Sequence, residues 1–302
     1  MKKFKNNFFV VISLLSFLSF SLRTFACPCG CGSQRPLSFY PGERYKFQSS
    51  IKLTRFSDFS YVSSRKEFSS FKKARALKSF TFAFNAYELD FALNFGVSSN
   101  YHPDEGTHTS FSDPSVSLAK TFWYPVASFL NLESFNFSLA YKPSLTKSMK
   151  DNLESVHYLD AHGSGAGEAL LSSELSFVYL HYHLGLGSSL IYKKPLEIRT
   201  DSSSSLFEAG LTSQTSISLA YNWIGRGTLS LKEEYEFSQA DKLDKEKILG
   251  SESQKLRTSL SYQMQAGIKK TLGFTVEEEG YFFTLENGLP NYSMSFSYMQ
   301  AV

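Results

Sequence analysis

The chain has 302 residues, of which 42% are hydrophobic, 16% are aromatic and only 20% are charged. These proportions exclude an intrinsically disordered protein, which combines low hydrophobicity with high net charge. After the first two dozen residues no apolar run approaches the ~18 residues that a membrane-spanning helix needs, so a helical membrane protein is also excluded. The 29 Phe and 17 Tyr are spread along the whole chain, which favours an all-β protein with many aromatic surfaces.

The first 26 residues have the pattern of a secretory signal peptide. Lys2, Lys3 and Lys5 form its positively charged start, residues 8–22 form its apolar segment, and residues 24–26 form its cleavage site. Removal of this segment deletes four basic residues and no acidic one, which leaves 27 basic residues against 28 acidic ones. The exported chain is therefore near neutral, and no nucleic-acid partner is expected, since such binding needs a clustered basic face.

All three cysteines of the chain, Cys27, Cys29 and Cys31, follow directly after the expected cleavage site. Three interpretations stay open. In the first, the segment is a flexible lead-in whose cysteines pair with one another in an oxidising compartment. In the second, the thiolates bind Cu(I) or Zn, because soft ligands select such ions. In the third, Cys27 is acylated as in a bacterial lipoprotein. The rest of the sequence requires no cofactor.

Beyond residue 44, apolar and polar residues alternate with a period of two, which indicates β-strands with one apolar and one polar face. Together with weaker segments, we count about twelve strands of about 10 residues, the length that a tilted strand needs to cross a bilayer. The clearest apolar faces, in chain order, are Tyr45, Phe47, Ile51 and Leu53; Phe80, Phe82 and Phe84; Phe91, Leu93 and Phe95; Phe135, Phe137 and Leu139; Ile217, Leu219 and Tyr221; Leu260, Tyr262 and Met264; and Tyr292, Met294 and Phe296.

Long and short links alternate between these strands. Short links are expected at 88–90, 181–183, 222–227 and 265–270. Long polar links are expected at 57–75, 99–113, 143–166, 194–205, 238–254 and 277–290. An even strand number with this alternation is typical of bacterial outer-membrane barrels that keep both termini in the periplasm.

The polar strand faces are rich in Ser, Asn, Gln, Gly and Lys, as a water-filled lumen would be. A soluble β-sandwich, whose strands also have one apolar face, is the alternative. A sandwich of the 276 residues that follow the signal peptide would be oversized, and its links need not alternate in length. We therefore predict an all-β fold, a transmembrane antiparallel up-and-down β-barrel of about 12 strands, over residues 41–302. It follows a signal peptide at 1–26 and a Cys/Gly-rich segment at 27–40. The expected partners are the lipid bilayer and the barrel assembly machinery.

Four landmarks occur in a fixed order: residues 112–114 before a strand, residues 139–143, residues 163–165, and residues 286–290 before the last strand. In this order they resemble the outer-membrane transporter-like β-barrel family associated with the meta-pathway of phenol degradation. The resemblance implies an outer-membrane barrel that passes small molecules, apolar or aromatic ones among them, and no enzyme activity.

The predicted function is an outer-membrane channel or transporter for small solutes. The alternative is a barrel without transport, either a surface scaffold for adhesion or a metal-sequestering envelope protein. Six polar residues are predicted to line the lumen, because they lie on the polar faces of strands: Lys46, Lys52, Asn94, Lys142, Gln214 and Arg257.

The sequence contains no convincing pattern of catalytic residues. The glycines around Ser164 do not have the spacing of a hydrolase nucleophile elbow. His181 and His183 are interpreted as solvated turn residues, with a metal pair as the alternative. The run at 277–279 is interpreted as a solvated loop tip. No catalytic residue is therefore assigned.

Overall fold

The computed structural model describes residues 39, 43–62, 67–102, 106–124, 131–145, 167–200, 203–223, 227–247, 252–266, 269–281 and 291–301. Within them the chain forms sixteen β-strands. Twelve are long: β1 (Tyr45–Val62), β2 (Glu67–Ala86), β3 (Leu89–His102), β4 (Gly106–Trp123), β5 (Asn131–Lys142), β6 (Glu168–Tyr179), β7 (Tyr182–Lys193), β10 (Thr212–Trp223), β11 (Gly227–Ser238), β14 (Ser253–Gln265), β15 (Lys270–Tyr281) and β16 (Asn291–Ala301). Four are short: β8 (Leu196–Thr200), β9 (Ser203–Glu208), β12 (Lys242–Leu243) and β13 (Glu246–Lys247).

The twelve long strands form one closed barrel, in which every strand pairs with its neighbours along the chain. All pairs are antiparallel, and β1 closes the barrel by pairing with β16, with Lys46 opposite Ala301 and Arg55 opposite Tyr292. Closure gives each long strand a partner on both sides within the barrel wall, which is the condition for strands to cross a bilayer. The predicted twelve-stranded up-and-down barrel is confirmed.

The outer surface of the barrel is apolar. Because side chains alternate between the faces of a strand, the predicted apolar residues all point outward. Aromatic pairs reinforce this face across strands, as for Phe84 and Phe91, whose ring centroids are 5.0 Å apart. The exposed residues of this face include Phe47, Ile51, Leu53, Phe82, Leu93, Phe95, Phe137, Leu139, Ile217, Leu260, Met294 and Phe296. Among the described residues no helix is long and apolar enough to cross a membrane.

Tight turns join β2 to β3 and β6 to β7 at one end of the barrel, which we call the short-turn end. Tyr87, Glu88 and Leu180 have positive φ values of 52°, 61° and 54°. In the first turn both central residues, Tyr87 and Glu88, have positive φ, as a type I′ hairpin turn requires. In the second turn, of its two central residues, only Leu180 has a positive φ. The turns predicted at 88–90 and 181–183 therefore lie slightly too late in the sequence, and His183 is a strand residue.

At the opposite end, the long-loop end, two predicted links are wrong. Residues 56–62 of β1 pair with 67–73 of β2 beyond the point where β1 leaves β16. Residues 106–112 of β4 likewise pair with β3 only. The polar stretches at 57–75 and 99–113 are thus mostly strand, and they form two hairpins that project beyond the barrel wall.

The links at 194–205 and 238–254 also contain strands. β8 and β9 form a hairpin, β12 and β13 form another, and β9 pairs with β12, so that the two links share a four-stranded sheet. At its base the backbone N–H of Gly210 donates to Asp241 at 2.8 Å, and a Cβ at Gly210 would lie 1.9 Å from the Gln239 carbonyl oxygen. Only glycine fits this approach. The links at 143–166 and 277–290 lie largely outside the described residues, although β15 continues to Tyr281.

Candidate functional site

The inner face of the barrel is polar. Its small side chains form hydrogen bonds between neighbouring strands, such as Ser50 with Ser79 at 2.6 Å and Ser261 with Thr275 at 2.9 Å. Ser138 and Ser172, both buried, are joined in the same way at 2.5 Å. Buried hydroxyls need such partners, because an unsatisfied polar group is costly away from water. The face opposite the apolar surface is therefore a hydrogen-bonded polar wall.

Eight charged side chains form a stripe on this wall, which we call the charged stripe. It crosses β11, β14 and β15 and reaches β1. Lys52 on β1 contacts Glu277 on β15 at 2.8 Å, and Lys232 contacts Glu234 at 2.8 Å. Four members are basic and four are acidic, so the stripe is neutral: Lys52, Lys232, Lys255, Arg257, Glu234, Glu236, Glu277 and Glu279.

Arg257 is the centre of the charged stripe. Its guanidinium contacts Glu234 at 2.5 Å, Glu277 at 3.0 Å and Glu279 at 2.5 Å. Glu234 and Glu279 lie directly opposite Arg257 on the two flanking strands. The five donors of a guanidinium suit several carboxylates at once, so Arg257 holds three strands together through charge-assisted hydrogen bonds.

A second charged group lies on β5, β6 and β7. Glu168 is flanked by Lys142 at 3.6 Å and by Lys193 at 3.8 Å. These separations are longer than the 2.8 Å contact of Lys52 with Glu277. The next inward pair along β6 and β7 is apolar, because Leu170 lies opposite Ile191, just as Glu168 lies opposite Lys193.

Six of the eight residues of the charged stripe, together with Glu168 and Lys193, line one cavity of about 500 Å³, which we call the lumen cavity. Leu170, Ile191 and Gln214 complete its wall, and the segment at Ala209 and Gly210 lines it near the long-loop end. Gln214 accepts a hydrogen bond from Ser189 at 3.0 Å and donates one to Glu236 at 2.8 Å. The volume lies within the range that is usual for small-molecule sites.

Phe39 fills part of the lumen at the short-turn end. Its side chain is buried against the inward residues Ala83, Ala92 and Met299. The ammonium of Lys46 lies 5.1 Å from the centroid of the ring, within cation–π range. Small residues on β2 and β3 provide the space for the ring, which narrows this mouth of the barrel.

Asp90 anchors this arrangement. Its carboxylate accepts hydrogen bonds from Asn85 at 2.6 Å and from Thr121 at 3.3 Å, and also from the backbone N–H of Phe39. Asn136 donates to Thr121 at 2.7 Å, which extends the network to β5. A second cavity of about 550 Å³ lies beside Phe39 and Asp90 at the short-turn rim.

The predicted lumen residues lie on the inner wall in two regions. Lys52, Arg257 and Gln214 line the lumen cavity, and Lys142 contacts Glu168 of the same cavity. Lys46 lies at the narrowed mouth, where it contacts Glu43 at 2.8 Å. Their role in solute passage stays a prediction. Asn94 lies on the inner face of β3 and accepts a hydrogen bond from Thr81 on β2 at 3.4 Å.

Two interpretations are corrected. The acidic run at 277–279 is part of β15, with Glu277 and Glu279 inside the lumen and paired with Arg257. His181 lies in the turn between β6 and β7 but is buried instead of solvated. His183 is not a turn residue, because it lies on β7 with its Nδ1 3.5 Å from a Glu133 carboxylate oxygen. In the described part of the chain, no group of three or more His, Cys, Asp and Glu side chains is arranged to hold a metal.

Phe39, Asp90, Glu168, Lys193 and the apolar pair on β6 and β7 were not predicted from the sequence. The alternation pattern places Asp90, Glu168 and Lys193 on inner faces and so contains a signal for them, whereas a single Phe before the first strand contains none. The signal peptide and Cys27, Cys29 and Cys31 lie outside the described residues. The binding of Cu(I) or Zn at these cysteines therefore stays a prediction.

No protein-family model and no curated protein matches the sequence. Among solved structures, the fold is similar to the COG4313 outer membrane channel from Pseudomonas putida F1, with a TM-score of 0.66 and 13% identity over 88% of this chain and 100% of that chain. The NanC porin gives a TM-score of 0.47 and 8% identity over 84% of this chain and 99% of that one. The translocator domain of the autotransporter NalP from Neisseria meningitidis gives a TM-score of 0.42 and 10% identity over 86% of this chain and 89% of that chain.

The similarity to the Pseudomonas putida channel concerns the fold. It spans the whole length of that channel at a TM-score of 0.66. The chain therefore has the fold of a bacterial outer-membrane β-barrel, which is the fold that the family resemblance implied.

Proposed function

We propose that the protein is a bacterial outer-membrane channel that passes small polar solutes through the lumen of its barrel. The observation that carries the proposal is the contrast between the two faces of the long strands. The outer face exposes residues such as Ile51, Phe95 and Phe296, whereas the inner face holds the charged stripe and a cavity of about 500 Å³. An apolar exterior with a polar interior is the arrangement of channel-forming membrane barrels.

The polar wall supports polar rather than apolar cargo. The passage of apolar and aromatic solutes, which the family resemblance implied, stays a prediction. The lipid bilayer is the medium of the outer face, and the barrel assembly machinery is the partner we propose for insertion.

The proposal is tested by solute entry into liposomes that contain the purified, folded protein. We expect these liposomes to swell in iso-osmotic erythritol faster than liposomes with heat-unfolded protein. The same preparation should conduct ions in a planar bilayer. A barrel that is electrically silent and admits no erythritol would contradict the proposal and leave a surface scaffold, which the projecting hairpins and the four-stranded sheet at the long-loop end would suit.

Because Phe39 narrows the mouth at the short-turn end, we expect a shorter side chain at this position to increase the conductance of the channel. We expect Phe39→Ala to raise single-channel conductance roughly twofold, because pore diameter limits ion passage and the ring occupies the mouth. Phe39→Leu keeps most of the side-chain volume and is the matched control, with conductance close to that of the wild type. Equal conductance in all three proteins would show that the mouth does not limit flow.

We further propose that the short-turn end, which carries both barrel termini, faces the periplasm. An epitope tag inserted between Asp244 and Lys245, in the turn between β12 and β13, should then bind antibody on intact cells. A tag between Tyr87 and Glu88, in the turn between β2 and β3, should bind only after the outer membrane is permeabilised. Reversed labelling would refute this orientation.

A further inference from the structure

We infer that the lumen cavity binds small zwitterions with a short aliphatic side chain, molecules of the α-amino-acid type, on the wall formed by β6 and β7. The inference rests on the proposed function, because it places the site on the path of the solute. It specifies the class of solute, which cannot be inferred from the polarity of the barrel interior alone.

The lumen cavity presents both signs of charge. Among its described lining residues, four side chains are basic and five are acidic. A solute with a single charge would meet like charges on the same wall, which disfavours it. A molecule that carries an ammonium and a carboxylate close together finds a partner for each.

The contacts of the wall separate into tight and loose ion pairs. Within the charged stripe, Lys52 and Arg257 contact carboxylates at 2.5 to 3.0 Å, which is the length of charge-assisted hydrogen bonds. Lys255 has longer contacts, at 3.7 Å to Glu236 and 3.8 Å to Glu279, but its side chain is only 25% exposed and lies between these two carboxylates. Lys193 lies 3.8 Å from Glu168, beyond that length, and its side chain is 40% exposed. A solute carboxylate at Lys193 and a solute ammonium at Glu168 would each form a shorter contact than the pair now has.

The apolar part of the solute has a matching surface. Leu170 and Ile191 are directly opposite one another, two residues along β6 and β7 from Glu168 and Lys193 and on the same face. Two residues of a strand span about 7 Å. A zwitterionic head group on the Glu168–Lys193 pair therefore places a short aliphatic side chain over the Leu170–Ile191 pair.

The site is tested by equilibrium dialysis of radiolabelled L-leucine against the folded protein in detergent. We expect saturable binding that unlabelled L-leucine competes away. L-leucinamide, which lacks the carboxylate, and 4-methylpentanoate, which lacks the ammonium, should compete at least about tenfold more weakly, since each loses one charge-assisted contact. Glycine should also compete more weakly, because it lacks the side chain.

Variants locate the site. Lys193→Met should weaken L-leucine binding about tenfold, since a hydrogen bond to a charged group is lost. Ile191→Ser should remove the difference between leucine and glycine. Lys247→Met removes a charge from the exposed strand β13, outside the cavity, and should bind leucine as the wild type does.

Absence of saturable binding, or equal competition by leucinamide and by leucine, would overturn the inference. Entry of erythritol into liposomes is scored separately. Passage of erythritol without leucine binding would overturn the solute class and leave the channel. Leucine binding without entry of erythritol would support the site and contradict the proposed function.

Discussion

Replacement of Phe82 by arginine is expected to lower the free energy of unfolding from a bilayer by about 2–4 kcal/mol, because a cationic side chain at the lipid-facing midplane destabilises a barrel by that amount. Phe82 lies opposite Leu93 on the outer face, and both side chains are exposed there. Urea-driven unfolding in phospholipid vesicles measures this free energy.

The matched control is Thr81→Arg, one position earlier on the same strand and on the inner face, where Thr81 donates a hydrogen bond to Asn94. We expect a smaller loss, because the new guanidinium meets the polar lumen instead of lipid. Equal losses for the two variants would contradict the assignment of the faces.

Arg257→Met is expected to change both stability and ion selectivity. The substitution leaves Glu234, Glu277 and Glu279 without their shared cation, at a cost of about 1.5–3 kcal/mol in the free energy of unfolding. It also gives the charged stripe a net negative charge. The reversal potential in a KCl gradient should therefore shift towards that of K⁺, because a lumen lined by acidic groups favours cations.

The double variant Arg257→Met with Glu279→Gln restores a neutral stripe and serves as the control. We expect its selectivity to return close to that of the wild type, although part of the stability stays lost. Unchanged ion selectivity in the Arg257→Met variant would mean that ions do not pass beside Arg257.

The barrel could be predicted from the sequence because the bilayer imposes a strict period of two. Phe80, Phe82 and Phe84 must all face lipid, so their polar neighbours face inward, and the outer face of β2 follows from this alternation alone. Beyond the membrane both faces of a hairpin meet water and the apolar alternation ends, while the backbone pairing continues. For this reason the stretch at 57–75 was interpreted as a loop although it is mostly strand.

The candidate site was predicted only in part, since its partners are distant in sequence. Lys52 contacts Glu277 across 225 positions of the chain, and this pair depends on the closure of β1 on β16. Three consecutive glutamates at 277–279 have the composition of a solvated tip, yet Glu277 and Glu279 point into the lumen and Glu278 points outward towards Tyr292. Cross-strand register, which composition does not encode, determines these contacts.

Block of solute entry by a thiol reagent inside the lumen tests the central claim most directly. Cys27, Cys29 and Cys31 are replaced by Ser, and a single cysteine is placed at Gln214, on the wall of the lumen cavity, or at Thr215, the adjacent residue on the outer face. Each protein is labelled in detergent with a bulky methanethiosulfonate and then reconstituted. We predict that labelling of Gln214→Cys stops erythritol entry and that labelling of Thr215→Cys leaves it unchanged. Undiminished entry through the protein labelled at position 214 would contradict a path through the lumen.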